Sequence, residues 1–175
     1  MSIFHIIEGA TCAGKTTFTR SIHAVTPQRI ILEHPPLDKG QILVETEYYQ
    51  HQLNVFDSFM ASFHDAPHGE WWVDYSPLGC VPFTRALVSI GRDECATLIP
   101  YMIGRINVLC KRHELYLDKY IPISYEVQRE RLLRRGRLGD DTWDETLLRA
   151  IIKSYDDFFE NDVELIHGNR INSVK

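Results

Sequence analysis

Most features that would place this chain of 175 residues in a special class are missing. Its 4 cysteines, Cys12, Cys80, Cys95 and Cys110, are scattered with no C-x-x-C pair. That spacing argues against a zinc ribbon, a redox pair or a disulfide framework, and reads as reduced thiols. No run approaches the ~18 apolar residues of a membrane span, and no basic segment followed by a cleavable apolar stretch precedes the first strand. A cytosolic location is expected. Positive charge is in the minority, with Lys+Arg 19 against Asp+Glu 24 and a net charge of −5. No overall basic footprint for duplex nucleic acid follows, so nucleic acid is not the expected partner. His64 and His68 have the i, i+4 spacing of a helical metal pair, but Pro67 and Gly69 break that helix and no third ligand stands nearby. There are no internal repeats and no low-complexity tracts.

What is present is an ordinary core-forming composition, 44% apolar and 25% charged, on a chain too short for two ordinary domains. One domain spanning 1–175 is expected. Its most specific signal is Gly9, Ala10, Thr11, Cys12, Ala13, Gly14, Lys15 and Thr16, which fit G-x-x-x-x-G-K-[ST]. The motif works only as strand, turn and helix together. Ile3–Ile7 reads as the buried strand, and the segment from Thr17 to Val25 as the helix. The glycines let backbone N–H groups turn inward around phosphate oxygens, and the helix N-terminus adds partial positive charge. Lys15 would reach the β- and γ-phosphates of ATP, and the Thr16 hydroxyl would ligate Mg²⁺. Cys12 lies inside the loop, where its thiol would be open to alkylation near the phosphates.

Further along, Arg29–Leu32 reads as a strand stopped by Pro35 and Pro36, which leaves Glu33 at a strand end. From Gln41 to Phe63 helical spacing of Leu43, Tyr49, Leu53, Phe56, Met60 and Phe63 predicts a helix. Glu70–Asp74 reads as an aromatic strand ending in a carboxylate, broken by Tyr75 to Gly79. Helices are expected near Phe83–Ser89 and over Asp93–Arg112, the second interrupted or kinked by Pro100. A strand of uncertain register falls within Leu115–Ile123, followed by helices over Tyr125–Arg135 and Asp144–Phe159 and a last strand at Val163–Ile166. The alternation predicts an α/β fold: a mostly parallel sheet of about five strands with helices on both faces and ligands at the strands' carboxyl ends.

Topology alone then brings the P-loop, Glu33 and Asp74 toward one edge. Phosphoryl transfer needs a nucleotide cradle, a metal, an oriented nucleophile and charge neutralisation. Asp74 would bind Mg²⁺ directly or through water, and Glu33 would accept the proton of an attacking hydroxyl. Arg129, Arg131, Arg134, Arg135 and Arg137 fall within nine residues of an otherwise acidic protein. Such a cluster suits a small polyanion and would close over a triphosphate. The Arg135-Gly136-Arg137 break marks a mobile element, a lid at about 134–143.

These residues resemble the deoxynucleoside kinase and thymidylate kinase superfamily over most of the chain. Ile7-Glu8-Gly9 looks like that family's opening strand, and Glu33-His34-Pro35 resembles the Glu-Pro that supplies its catalytic base. Tyr49-Gln50 lies on the helix where those enzymes carry a base-pairing glutamine, with Gln52 nearly as well placed. Asp74-Tyr75-Ser76 resembles an acidic-Arg-Ser motif, and Glu126 through Arg137 with Asp140-Asp141 is similar to the lid. The motif's central arginine is Tyr75 here, and Arg85, Arg92 or Arg105 are the candidates to replace it. The resemblance implies an ATP- and Mg²⁺-dependent kinase acting on the 5′-hydroxyl of a deoxynucleoside. Its P-loop runs through Thr17; Lys15, Glu33, Arg135 and Arg137 are catalytic, and Glu33, Tyr49, Gln50, Asp74 and Tyr75 line the acceptor. A deoxynucleoside monophosphate kinase, for instance for a modified pyrimidine nucleotide, is the alternative; a P-loop ATPase or switch is a third reading, and no N-K-x-D motif supports a GTPase. Related kinases are often homodimers through helices beside the sheet, here Gln41–Phe63 and Asp93–Arg112.

Overall fold

The computed structural model describes residues 1–23, 29–31, 48–136 and 143–162. The described strands are β1 (Ile3–Glu8), β2 (Arg29–Ile31), β3 (Glu70–Asp74) and β4 (Glu114–Tyr120), in the spatial order β2-β3-β1-β4 and all parallel. Four strands are described, and the expected fifth at Val163–Ile166 lies outside the described residues. The helices are α1 (Lys15–His23), α2 (Tyr48–Asp65), α3 (Pro77–Ser89), α4 (Leu98–Arg112), α5 (Tyr125–Arg135) and α6 (Glu145–Asp157). Parallel neighbours require crossovers, and helices supply them.

β1 is central because its apolar run can be buried from both sides. Phe4 and Ile6 are fully buried, and Phe4 packs on Phe63 of α2 with ring centroids 4.4 Å apart. The register pairs Ile7 with Asp74, so the P-loop leaves β1 beside the last residue of β3. On the other side the register shifts between Ile6 and Ile7, a bulge that leaves Asp118 of β4 as the extra residue.

Several boundaries differ from the sequence expectation, each for a local reason. α1 starts at Lys15 because the last P-loop residues are already its first turn. α3 starts at Pro77, six residues earlier than expected. Ser76 is its N-cap, accepting a bond from the Leu78 N–H at 3.1 Å, and Pro77 occupies the first helical position, where a missing N–H costs nothing. Residues that read as breakers are thus a helix start, and Pro82 is carried inside a helix buried on most sides. Asp93–Arg112 is interrupted, but ahead of Leu98 rather than at Pro100. A short 3-10 turn at Asp93–Cys95 precedes α4, and Pro100 falls in the first turn of α4, where it breaks no ladder bond. β4 starts at Glu114, one residue before the expected segment, and ends inside it at Tyr120. α6 is capped by the Asp144 side chain on the Leu147 N–H at 2.8 Å and runs into a π-helical turn, Phe158–Asp162, whose two phenylalanines are buried.

Candidate functional site

The loop after β1 is shaped by three residues in left-handed or related conformations: Gly9 at φ 158°, Cys12 at φ 64° and Gly14 at φ 103°. A side chain at Gly9 would place its Cβ 2.5 Å from the Ile121 carbonyl oxygen and 3.0 Å from the Ala13 Cβ, so only glycine fits there. Lys15, 5% exposed, folds back over the loop and donates to the Gly9 and Ala10 carbonyls at 2.8 and 3.1 Å. Its ammonium also stands 5.2 Å from the centre of the Tyr75 ring.

Thr16, at the start of α1, donates its hydroxyl to Oδ2 of Asp74, which is fully buried at the end of β3. Two side chains 58 residues apart in sequence therefore meet beside the P-loop. Both offer oxygen, the donor type that suits a hard cation such as Mg²⁺. Among the described residues no group of three or more His, Cys, Asp or Glu could form a metal cage. A pair of oxygen donors fits an ion held mainly by phosphates and water.

Glu8, which joins these parts, reads from the sequence only as part of the opening strand, with no role of its own. Glu8, the last residue of β1, is fully buried. Its Oε1 accepts from both the backbone N–H and the hydroxyl of Ser76, at 2.8 and 2.7 Å, while Oε2 has no partner among the described residues. Burial pushes its carboxyl up to about 7, against the pull of the Lys15 charge and the two Ser76 bonds. Glu8 thus ties the strand that enters the P-loop to the turn that follows Asp74. The signal available was an acid closing an apolar run. Tyr75 in that turn has φ 76°, a strained conformation for a residue with a side chain. Its hydroxyl lies 3.2 Å from that of Tyr155 of α6, which also bonds the Gly79 carbonyl at 2.8 Å. The ring where the resemblance implies a cation is therefore turned into packing between α3 and α6.

On the far side of the loop, Gln128 of α5 donates to the Thr11 carbonyl at 3.0 Å, and Arg131 donates to the Cys12 and Ala13 carbonyls at 2.9 and 3.2 Å. Arg131 is thus engaged with the loop backbone. Arg134 pairs with Glu130 on the exposed face, and Arg135 is half-buried at the end of α5, where Gly136 closes the helix at φ 56°. Glu33, Arg137 and residues 137–142 of the expected lid lie outside the described residues.

Tyr49 and Gln50 stand on the exposed side of α2, with Gln50 bonded to Asn54 at 2.8 Å, whereas Gln52 is buried, 4% exposed. Among the candidate replacement arginines, Arg85 pairs with Asp162 at 2.5 Å and lies over the Phe158 ring. Arg92 lies over Tyr48, and Arg105 donates to the Tyr101 hydroxyl.

No family model matches the sequence, and no curated protein matches it. Solved structures do. A deoxyadenosine kinase from M. mycoides with bound dATP superposes with a TM-score of 0.75 at 16% identity, covering 100% of this chain and 91% of that one. Structures of deoxyadenosine kinase from M. mycoides with bound dCTP and with dCMP and dCDP give TM-scores of 0.74 and 0.73, each at 16% identity, covering 99% and 100% of this chain and 89% and 90% of theirs. The chain has a deoxynucleoside kinase-like P-loop kinase fold. In this kinase-like fold no described helix is long and apolar enough to cross a membrane.

Proposed function

We propose that the protein is a kinase that transfers the γ-phosphoryl group of ATP to the 5′-hydroxyl of a deoxynucleoside. The observation that carries this reading is the meeting of Thr16 and Asp74 beside a P-loop, with Lys15 folded onto the loop carbonyls, in a fold shared with deoxyadenosine kinases. When ATP binds, Lys15 exchanges its bonds to Gly9 and Ala10 for phosphate oxygens. The loop amides from Ala10 to Thr17 hold the remaining charge. A Mg²⁺ ion at Thr16 and Asp74 would offset negative charge on the phosphates. Glu33 takes the proton of the acceptor hydroxyl, and Arg135 and Arg137 neutralise charge on the moving group. Gln50 reads the acceptor base, with Gln52, buried on the same helix, as the other candidate. Cytoplasmic location and dimerisation through α2 and α4 belong to the same reading.

A monophosphate kinase is the second reading, and Tyr75 disfavours it. An acceptor phosphate asks for an added cationic clamp, whereas position 75 presents a phenol that burial keeps neutral, well above its usual range. Incubation with ATP, Mg²⁺ and a mixed pool of nucleosides and monophosphates, read by mass spectrometry, separates the two. New monophosphates are the expected product, and new diphosphates alone would establish the second reading. Glu33→Gln is expected to lower kcat by ~10²-fold while leaving ATP binding nearly intact. Unchanged turnover would remove Glu33 from the mechanism.

A further inference from the structure

A P-loop cradles phosphate only while its N–H groups point inward, so its carbonyls must be held elsewhere. Here the central residue of that turn is Cys12 at φ 64°, a conformation that costs a side-chain residue of order 1 kcal/mol or more. Something outside the loop must make that conformation the favoured one. The contacts that do so come from α5, where Gln128 and Arg131 occupy three successive loop carbonyls, those of Thr11, Cys12 and Ala13.

The two donors are not equivalent. Arg131 is exposed, and its guanidinium can exchange loop carbonyls for water. Gln128 is fully buried, and with Leu132 it makes up the inner face of α5. Because the Thr11 carbonyl can only accept, the amide must present Nε2 to it, which leaves Oε1 pointing into the protein. That oxygen has no partner among the described residues. A buried acceptor left unpaired costs about 1–3 kcal/mol. Against one neutral hydrogen bond, an apolar side chain of the same length would be the better choice for stability alone.

We propose that Gln128 is a positioning residue for nucleotide binding, holding the P-loop in its phosphate-accepting conformation at no net gain in stability. Through the same helix it fixes the loop relative to Arg134 and Arg135, so the phosphate cradle and the root of the arginine segment move as one body. The inference rests on the P-loop part of the proposed function and on nothing downstream of ATP binding.

Opposite signs in two measurements test it. Gln128→Met keeps length and removes both polar atoms. The expected result is a melting temperature equal to or above that of the unmodified protein together with ATP binding weakened ~10-fold by calorimetry, the equivalent of one hydrogen bond. A lowered melting temperature with unchanged ATP affinity would overturn the proposal, since that is what a merely structural glutamine predicts. Gln128→Glu, which keeps the shape and loses the donor, is expected to weaken ATP binding further, because a carboxylate would face the Thr11 carbonyl. Equal affinity in this variant would also overturn it.

A third readout does not use ATP. Cys12 is the half-buried cysteine, and Cys80, Cys95 and Cys110 are buried. Iodoacetamide should therefore modify Cys12 first, and faster in Gln128→Met if the loop is released; an unchanged rate counts against release. A protein that binds ATP yet phosphorylates no nucleoside would fail the proposed function and leave this inference standing. Wild-type affinity in Gln128→Met would do the reverse.

Discussion

Two polar clusters stand on the same strand, three residues apart and on opposite faces of the sheet, and they are built differently. Around His5 both ring nitrogens have a carboxylate partner and water is near. One ring nitrogen meets Asp118 and the other Glu70, each at 2.8 Å, and the ring is stacked between Trp72 and Tyr116. Around Glu8 water is excluded, and one carboxylate oxygen is left without a partner among the described residues. A carboxylate so enclosed is costly unless fully compensated. The first cluster is the kind a sheet uses to close its polar face. The second trades stability for the position of Asp74, Ser76 and Lys15, the pattern expected where a site is assembled.

The largest test of that contrast is the pH dependence of stability. The carboxyl of Glu8 is raised from 4.5 to about 7 on folding. In the interval between them the unfolded chain releases a proton that the folded chain still holds, so stability falls as pH rises. The contribution is fully present below pH 4.5 and is lost as pH passes through about 7, amounting to ~3 kcal/mol at ~1.4 kcal/mol per pH unit. Glu8→Gln cannot ionise and should lack this slope. Denaturation at a series of pH values should show the variant gaining on the unmodified protein from pH 5 to 8. Parallel curves would mean that Glu8 is ionised throughout.

A smaller effect is expected from Gly79→Ala. An added Cβ would sit 2.8 Å from Glu8 Oε2 and 2.8 Å from Tyr75 Cε2, and neither can retreat far, one being fully buried and the other held by its contact with Tyr155. Overpacking of this kind costs about 1–3 kcal/mol, partly offset by the ~1 kcal/mol better helix propensity of alanine. Gly104→Ala is the control, since nothing lies within 4 Å of its added Cβ. Urea denaturation should show Gly104→Ala stabilised and Gly79→Ala destabilised. Stabilisation of both would show that the Glu8 corner is loosely packed.

The same contrast explains which parts of the site were legible in the sequence. The P-loop was, because glycine, lysine and threonine at fixed spacing encode its geometry directly. Asp74 was, because an acid ends an aromatic strand. Their convergence was too, because ligand groups gather at the carboxyl ends of parallel strands; the direct Thr16–Asp74 hydrogen bond was not, since it depends on β1 and β3 being neighbours, and strand order leaves no local trace. The first half of α3 was hidden because Pro77, Gly79 and Pro82 read as breakers when Ser76 and Pro77 in fact begin a helix. The buried roles of Glu8 and Gln128 were missed for one shared reason. Polar residues are presumed to face water, and only tertiary packing reveals one that does not. Glu33 and Arg137 were named from the sequence and lie outside the described residues, so they stand as proposals.

The smallest expected effect comes from the first cluster and sharpens its difference from the second. The hydrogen bond to Asp118, then its charge and that of Glu70, outweigh partial burial and raise the His5 imidazole above 6.5. The sign follows from proton binding. The folded chain holds the proton more tightly, so the stabilisation is fully present below pH 6.5 and disappears as pH rises through the folded value. Because Glu70 is 47% exposed, solvent screens part of the interaction, and roughly 0.5–1 kcal/mol is expected. His5→Gln should therefore be less stable than the unmodified protein at about pH 5.5 and nearly equal to it at about pH 9, with ATP affinity unchanged at both. A loss of ATP affinity in His5→Gln would break the comparison itself, because it would mean that the outer face of β1 is coupled to the P-loop as tightly as Glu8 is.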